Sequence, residues 1–304
     1  MITQKIFRGK TWIDAENPTS DEVKKLMDEF SLDTDVADEL LNPSLKPRIE
    51  RFSDYLYIIL HFPAFKQSHS LSSSQEIDFI ISEKFFITVR YDINETIERF
   101  SKNIEVENIT QKAEIEFPTL FLFFKLIDEL YLSSYNEIDT FDERLHIIEK
   151  NIFKGREKEM VFEISKFSRD ILAYKQIVSP HKEVLKQLAK DWKLVFGDKG
   201  KHHIERLVAT YFRLKNTHRG LLDTMQELRQ TNDSLLSTKQ NETMKLFTIL
   251  AFVTFPLSLM AGLFGMNTAF TPFVGMPFDF WVIIGIMVTL TLIMFLFIKI
   301  NKWL

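Results

Sequence analysis

The segment Asn241–Asn267 reads NETMKLFTILAFVTFPLSLMAGLFGMN. It has no charged residue over Leu246–Phe264, which is about the length of helix that crosses a ~30 Å hydrocarbon core. A second uncharged segment covers residues 280–298. The sequence therefore predicts two transmembrane helices, 246–264 and 280–298, joined by a loop of residues 265–279.

Charged residues are concentrated in the N-terminal part of the chain. Of the 38 Lys and Arg and the 42 Asp and Glu, residues 239–304 carry only Lys239, Glu242, Lys245, Asp279, Lys299 and Lys302. The chain has no cysteine, which excludes disulfides and thiolate metal sites. Its first residues lack the apolar segment of a signal peptide. We therefore expect residues 1–200 to form a cytosolic domain.

The basic residues that flank the two predicted spans indicate their orientation. Lys245 precedes the first span and Lys299 and Lys302 follow the second, whereas the loop between the spans has no Lys or Arg. Basic residues are enriched on the cytoplasmic side of a membrane. The pattern predicts a multi-pass protein of the cell (inner) membrane with both termini cytoplasmic, residues 299–304 forming a basic cytosolic tail.

Residues 1–120 have mixed α and β patterns. Thr19 and Glu22 have the spacing of a helix-capping box. Tyr55–Leu60 and Phe85–Val89 are rich in the β-branched and aromatic residues that favour strands. The polar tract Gln67–Gln75 is interpreted as a surface loop. We therefore predict an α/β cytosolic domain.

The rest of the cytosolic domain has helical patterns. Helices are predicted over Pro118–Phe153 and Glu157–Val178, and Ser179 is interpreted as the N-cap of a third helix, with Pro180 in its first turn. Gly197–Gly200 interrupts the pattern. The domain of residues 1–200 thus has a helical C-terminal part.

A long helix is expected after this break, because no Pro occurs before Pro256. An unbroken helix Lys201–Phe264 would form a cytosolic stalk, residues 201–245, continuous with the first span. The sequence leaves open whether helices of the same chain or of symmetry mates cover its heptad-like seam. The seam consists of Ile204, Leu207, Tyr211, Leu214, His218, Leu221, Met225, Leu228, Asn232 and Leu235.

A second stripe recurs every three or four residues through the first span. It consists of Asn241, Met244, Thr248, Ala251, Phe255, Ser258 and Gly262. One helix cannot enclose an ion path, but several copies around an axis could do so with this stripe facing inward. Polar mouths on either side of an apolar constriction are typical of a gated pore. Helix packing in lipid explains such a stripe of small and polar residues equally well.

The residues at the end of the first span suggest an ion. Gly265, Met266 and Asn267 would present backbone and amide oxygens at the mouth of such a pore. Mg²⁺ dehydrates reluctantly, so neutral oxygens can hold it through its water shell without binding it too tightly for release. The sequence has no GxxxxGK[ST] loop for ATP coupling. We find little support for an enzyme, and we expect no organic cofactor and no nucleic-acid partner.

The chain resembles the CorA family of divalent-cation transporters over nearly its whole length. The similarity lies in Asn241–Asn267 with its terminal Gly-Met-Asn, in KINKWL (Lys299–Leu304), in Ala37–Leu60 and in Ile81–Val89. The resemblance implies a funnel-shaped homopentamer in the lipid bilayer. Each chain would contribute an α/β cytosolic domain, a long stalk helix that lines the pore and an outer helix.

Site residues follow from the same resemblance. Gly265, Met266 and Asn267 would form the selectivity mouth, where Asn267 would hold hydrated Mg²⁺ through its waters. The resemblance implies that the pore is lined by Asn241, Met244, Phe247, Phe255 and Ser258.

Two departures from the family pattern stand out. Relatives commonly have an acid two positions after the Asn, where this chain has Thr268-Ala269. Relatives also often have Asp residues in a regulatory divalent-cation site on the stalk. The corresponding segment here has Arg206, which leaves Glu205 as the candidate ligand.

The leading hypothesis is influx of Mg²⁺ driven by the membrane potential, with Co²⁺ and Ni²⁺ also carried. One alternative is a zinc transporter of the ZntB-like branch. Another is a membrane-anchored cation sensor that does not conduct.

Overall fold

The computed structural model describes residues 1–65, 71–110, 115–266, 275 and 277–301. The chain divides into two compact units, Met1–Arg229 and Gln230–Leu304.

The first unit contains a six-stranded sheet with the order β1-β2-β6-β5-β4-β3. Strands β2 and β6 pair in parallel, and the other neighbours pair antiparallel. The strands are β1 (Ile2–Phe7), β2 (Lys10–Glu16), β3 (Arg48–Arg51), β4 (Tyr55–Phe65), β5 (Leu71–Ser82) and β6 (Phe85–Arg90).

Helices account for the rest of the regular structure in the described residues. They are α1 (Ser20–Phe30), α2 (Thr34–Glu39), α3 (Glu95–Thr110), α4 (Pro118–Phe153), α5 (Glu157–Val178), α6 (His181–Phe196), α7 (Lys201–Phe264) and α8 (Asp279–Ile300).

The sheet is covered on both faces, which is why every residue of β6 is buried. On one face, Ile80 and Ile87 belong to a core that also contains Val23 of α1 and Val36 of α2. On the other face, Phe79 of β5 makes an edge-to-face contact with Phe123 of α4, with ring centroids 5.9 Å apart. The α/β class expected from the sequence is confirmed.

Several local predictions are also confirmed. Thr19 caps α1, because Glu22 N donates to its Oγ1 while Thr19 N donates to Glu22 Oε2. The two long helices expected over Pro118–Phe153 and Glu157–Val178 have those bounds, and the predicted break at Gly197–Gly200 separates α6 from α7.

Two local predictions are wrong. Residues 67–70 of the predicted loop Gln67–Gln75 lie outside the described residues, but residues 71–75 are not a loop, because β5 begins at Leu71 and Gln75 pairs with Phe62 of β4. Backbone pairing with β4 therefore prevails over the polar composition. Ser179 does not cap α6; it terminates α5 in helical geometry, its N–H donating to Lys175 O.

Helix α7 runs unbroken for 64 residues, with Pro256 inside it. In the first unit, helices of the same chain cover the seam from Ile204 to Leu228. Tyr211 OH donates to Ser179 O at 3.3 Å, and His218 Nε2 donates to Ile171 O at 2.9 Å. Further along, Met225 Sδ lies 3.4 Å from Ser168 Oγ of α5. His218 is therefore a hydrogen-bonded residue of a packed helix interface.

Candidate functional site

Two helices are long and apolar enough to cross a membrane: the C-terminal part of α7, and α8. Their apolar windows are only 0% and 11% buried. The apolar core helix of a soluble protein would be mostly buried, so these two apolar surfaces require another environment.

One face of α7 packs on α8. The rings of Phe252 and Phe297 stack with centroids 6.1 Å apart. On α8, Ile298 is fully buried and Met294 is nearly so. The half-buried residues of the α7 span recur at helical spacing, which places them on one side: Ile249, Val253, Pro256, Leu257 and Met260.

The stripe identified in the sequence lies on the other side of α7. Because each helical residue turns the chain by about 100°, this stripe is roughly opposite the half-buried face. All of its members are exposed, and Phe255 is 75% exposed. The stripe read from the sequence comprises Asn241, Met244, Thr248, Ala251, Phe255, Ser258 and Gly262. Phe247, which the family resemblance adds, lies on the same side and is 62% exposed, so it is included in the stripe. We call it the open stripe.

The hydroxyl of Thr248 is oriented by its own helix. Its Oγ1 donates to Met244 O at 2.9 Å. With its proton used in this way, the oxygen keeps its lone pairs as acceptors. Water molecules bound to a divalent cation are hydrogen-bond donors, so an acceptor of this kind suits a hydrated cation.

Gly265 marks the end of the α7 helix for a steric reason. Its N–H donates to Ala261 O at 3.0 Å, and a Cβ added at this position would lie only 2.9 Å from that same oxygen. Only glycine fits this chain end without movement of the last turn. Met266 follows and is exposed. Asn267, the third residue of the predicted mouth, lies outside the described residues, as do Thr268 and Ala269.

The start of α8 has an anchor that sequence reasoning missed. Asp279 accepts two backbone N–H groups, from Gly275 at 3.0 Å and from Phe280 at 2.6 Å. Gly275 has φ +94°, a conformation that favours glycine. The spacing Gly-x-x-x-Asp before an apolar helix was the available signal for this anchor.

The candidate regulatory residue stands near the beginning of α7. Glu205 is exposed, and its neighbour Arg206 forms an ion pair with Asp128 of α4. Within the described part of the chain, no group of three or more His, Cys, Asp or Glu side chains could hold a metal ion.

A buried histidine lies where α4, α6 and β4 meet. His181 Nε2 donates to His61 O at 2.8 Å, and its Nδ1 lies 2.9 Å from the Tyr131 hydroxyl. Burial lowers the pKa of His181 to about 4, because the imidazolium would lose its hydration. This histidine is therefore neutral at physiological pH and serves the packing of the first unit.

The family model described as CorA-like Mg2+ transporter protein matches residues 8–299. This match covers nearly the whole chain. The chain belongs to the CorA-like Mg²⁺ transporter family. It is therefore a membrane protein of a family that transports divalent cations.

Individual relatives agree with the family match. The chain is 26% identical over 305 residues to the cobalt/magnesium transport protein CorA of Thermotoga maritima, covering 97% of this chain and 83% of that protein. The complete structure of the CorA magnesium transporter from Methanocaldococcus jannaschii superposes with a TM-score of 0.84 at 20% identity, covering 97% and 92% of the two chains.

The ZntB cytoplasmic domain from Vibrio parahaemolyticus superposes less closely, with a TM-score of 0.63 at 13% identity over 75% of this chain and 88% of that one. Because the sequence identities are this low, the superpositions show only that the fold is shared. The CorA-like fold expected from the sequence is confirmed.

Proposed function

We propose that the chain conducts hydrated Mg²⁺ inward through a homopentameric pore, driven by the membrane potential. The observation that carries the proposal is the open stripe, which stays exposed while the opposite face of the same helix packs on α8. Copies of α7 around an axis would bring the stripes together, with each α8 on the outside. Family membership supports a transport role for this arrangement.

In this proposal the stripe forms successive parts of one path. Asn241 and Met244 stand at the cytosolic entry, Phe247 and Phe255 form apolar constrictions, and Thr248 and Ser258 supply hydroxyl oxygens. Apolar rings exclude ions by dewetting until the helices move apart. Gly262 then leads to the mouth formed by Gly265, Met266 and Asn267.

The proposed driving force is electrical. A divalent cation moving inward gains about 4.6 kcal/mol per 100 mV, twice the ~2.3 kcal/mol of a single charge. The proposed topology has residues 1–200 and the stalk, residues 201–245, in the cytosol, the loop 265–279 outside and the tail 299–304 inside. The proposed location is the cell (inner) membrane, and the basic residues on either side of the spans support this orientation.

The selectivity proposal rests on neutral oxygens at the mouth. Their hydrogen bonds to the water shell would hold Mg²⁺ without stripping it. Co²⁺ and Ni²⁺ are proposed as further substrates, and the cobalt/magnesium name of the Thermotoga maritima relative supports Co²⁺. Glu205 is proposed as a weak regulatory Mg²⁺ ligand that needs carboxylates from a neighbouring copy.

The test uses the purified chain in liposomes that contain a Mg²⁺-sensitive dye, under an imposed inside-negative potential. We expect potential-dependent Mg²⁺ entry that is lost in Asn267→Ala while the assembly keeps its size. Asn216→Ala removes the same amide from an exposed position on the cytosolic part of α7 and should conduct normally. Normal entry in Asn267→Ala would contradict the mouth assignment.

A second candidate is a zinc transporter of the ZntB-like branch, whose cytoplasmic domain shares the fold of this chain. Zn²⁺ flux that follows a proton gradient, with no potential-driven Mg²⁺ entry, would establish this alternative. Absence of both fluxes would favour the other alternative, a membrane-anchored cation sensor that does not conduct.

A further inference from the structure

A cavity of 320 Å³ opens between α5 and α7 in the first unit. Buried side chains of Tyr174, Val178 and Leu214 line it, together with the half-buried Leu222. Pockets for small molecules have volumes of about 300–1,000 Å³ and mainly apolar walls with a few polar groups. The cavity between α5 and α7 is therefore large enough for a compact ligand.

The polar part of the lining is mostly cationic. Lys175 extends from α5, and Lys215 and Arg219 extend from α7. No carboxylate forms an ion pair with any of these three residues in the portion of the chain that the structure describes. Asp223 is the one acidic residue of the lining. The lining therefore has three positive side chains and one negative side chain.

When the cavity is empty, Asp223 offsets only part of the repulsion among the three cations. Lys215 and Arg219 are four residues apart, so they are neighbours on the helix surface and repel each other. Lys175 adds a third charge from the opposite wall. His218 adds none at neutral pH, because burial lowers its pKa. An anion between the two helices would relieve this repulsion.

We propose that the cavity binds a compact organic anion, in which a phosphate or carboxylate group is carried on a small apolar body. The three cations would hold the charged group, and Val178, Leu214 and Leu222 would contact the body. The ligand would lie beside α7, the helix that continues to Phe264. Its binding would stabilise the packing of α5 on α7.

A small anion fits this cavity better than a side chain of a second copy. The cavity enters between the two helices as far as the buried rings of Tyr174 and Tyr211. An acidic side chain of a neighbouring copy would meet the exposed cations at the rim and leave this inner volume empty.

The test is calorimetric titration of the full-length protein in detergent with four probes. Phenyl phosphate has both the charge and the apolar body, inorganic phosphate has only the charge, and benzyltrimethylammonium has a similar ring with the opposite charge. We expect saturable binding of phenyl phosphate, at least tenfold weaker binding of inorganic phosphate and no binding of the cation. Benzoate in a fourth titration distinguishes a carboxylate site from a phosphate site.

Matched variants locate the binding. Lys215→Glu should weaken phenyl phosphate at least tenfold, and Lys215→Gln should weaken it less. Lys166→Glu makes the same charge change at an exposed position of α5 outside the lining and should bind normally. Leu222→Trp changes no charge and should prevent binding by filling the cavity.

Three results would overturn the proposal. Equal binding by Lys215→Glu and Lys166→Glu would indicate general attraction to surface charge. Equal binding of inorganic and phenyl phosphate would indicate a simple anion site without an apolar subsite. No binding by the wild type, with loss of the assembly in Lys215→Gln, would assign these cations to contact with a second copy.

Discussion

Helix α7 carries two periodic faces whose surroundings differ. In the first unit, the seam from Ile204 to Leu228 is buried, and helices of the same chain cover it. In the second unit, the open stripe from Asn241 to Gly262 is exposed, although α8 packs on the opposite face. Both faces repeat every three or four residues. The repeat alone therefore does not distinguish a face that packs within the chain from a face that would contact another copy or line an ion path.

The difference lies in what each face can pair with. The seam is mostly apolar and meets partners that complete its hydrogen bonds, as Ile171 O does for His218. The open stripe mixes an amide, hydroxyls, small residues and exposed rings. Within the span, contact with lipid alone would place the Ser258 hydroxyl and the acceptor lone pairs of Thr248 Oγ1 in an apolar medium, which is unfavourable for polar groups. Assembly around an axis would give these groups water and ions.

The largest expected effect is a difference in the free energy of unfolding between a variant of the seam and a variant of the open stripe. Leu207 is 1% exposed, so Leu207→Ala should lower the free energy of unfolding by about 2–5 kcal/mol, because it leaves a cavity. Phe255→Ala removes an exposed ring and should change this free energy by less than about 1 kcal/mol while altering Mg²⁺ flux. Denaturant melts of the purified protein, followed by flux measurements in liposomes, check both variants. Similar destabilisation by the two substitutions would show that Phe255 is a packed residue like Leu207.

The next effect concerns the pH dependence of the first unit. The folded state holds the pKa of His181 at about 4, below the 6.5 of the unfolded chain. Between these two pH values the unfolded chain therefore binds more protons than the folded chain. The contribution of neutral His181 to the free energy of unfolding is complete above pH 6.5 and is lost as the pH falls towards 4. At ~1.4 kcal/mol per unit of pKa, the loss amounts to about 3 kcal/mol.

Denaturant melts between about pH 4 and pH 7 measure this loss. His181→Gln should flatten the profile in that window. His146→Gln changes a histidine whose side chain is 72% exposed and should leave the profile as in the wild type. A flat wild-type profile over the same window would rule out a buried neutral His181.

A smaller effect is expected at the end of α7. Gly265→Ala would place a Cβ 2.9 Å from Ala261 O, so the last turn must shift and displace the residues that follow. We expect about a tenfold loss of Mg²⁺ flux, equivalent to ~1.4 kcal/mol. Gly285→Ala in α8 meets no atom within 4 Å in the protomer and is the matched control. Equal flux in the two variants would show that the steric constraint at Gly265 has no part in conduction.

The elements that could be predicted from the sequence are those whose signals are local. The start of α4 followed from the change of pattern at Pro118, and the cap of α1 followed from Thr19 and Glu22. The apolar spans followed from the absence of charge. Such signals depend on residues a few positions apart.

Features that depend on distant partners were missed or left open. The first part of β5 is polar, and only its pairing with Phe62 and Ala64 of β4 makes it a strand. Pairing between β2 and β6 likewise joins segments far apart in sequence. Burial of the seam likewise depends on the packing of α5 against α7, two helices that are separated in sequence. For the site, the periodic positions were readable from the sequence, whereas the structure added which side α8 covers and the steric role of Gly265.

The central claim is that the open stripe faces an ion path. Because the chain has no cysteine, single substitutions provide unique thiols. Ser258→Cys places a thiol on the open stripe, and Met260→Cys places one on the half-buried face. Cd²⁺ prefers soft thiolate ligands and should be held where several copies of the thiol at position 258 meet around an axis. We predict that micromolar Cd²⁺ blocks Mg²⁺ entry into liposomes for Ser258→Cys and leaves Met260→Cys conducting. Block of Met260→Cys with unchanged entry in Ser258→Cys would contradict the account.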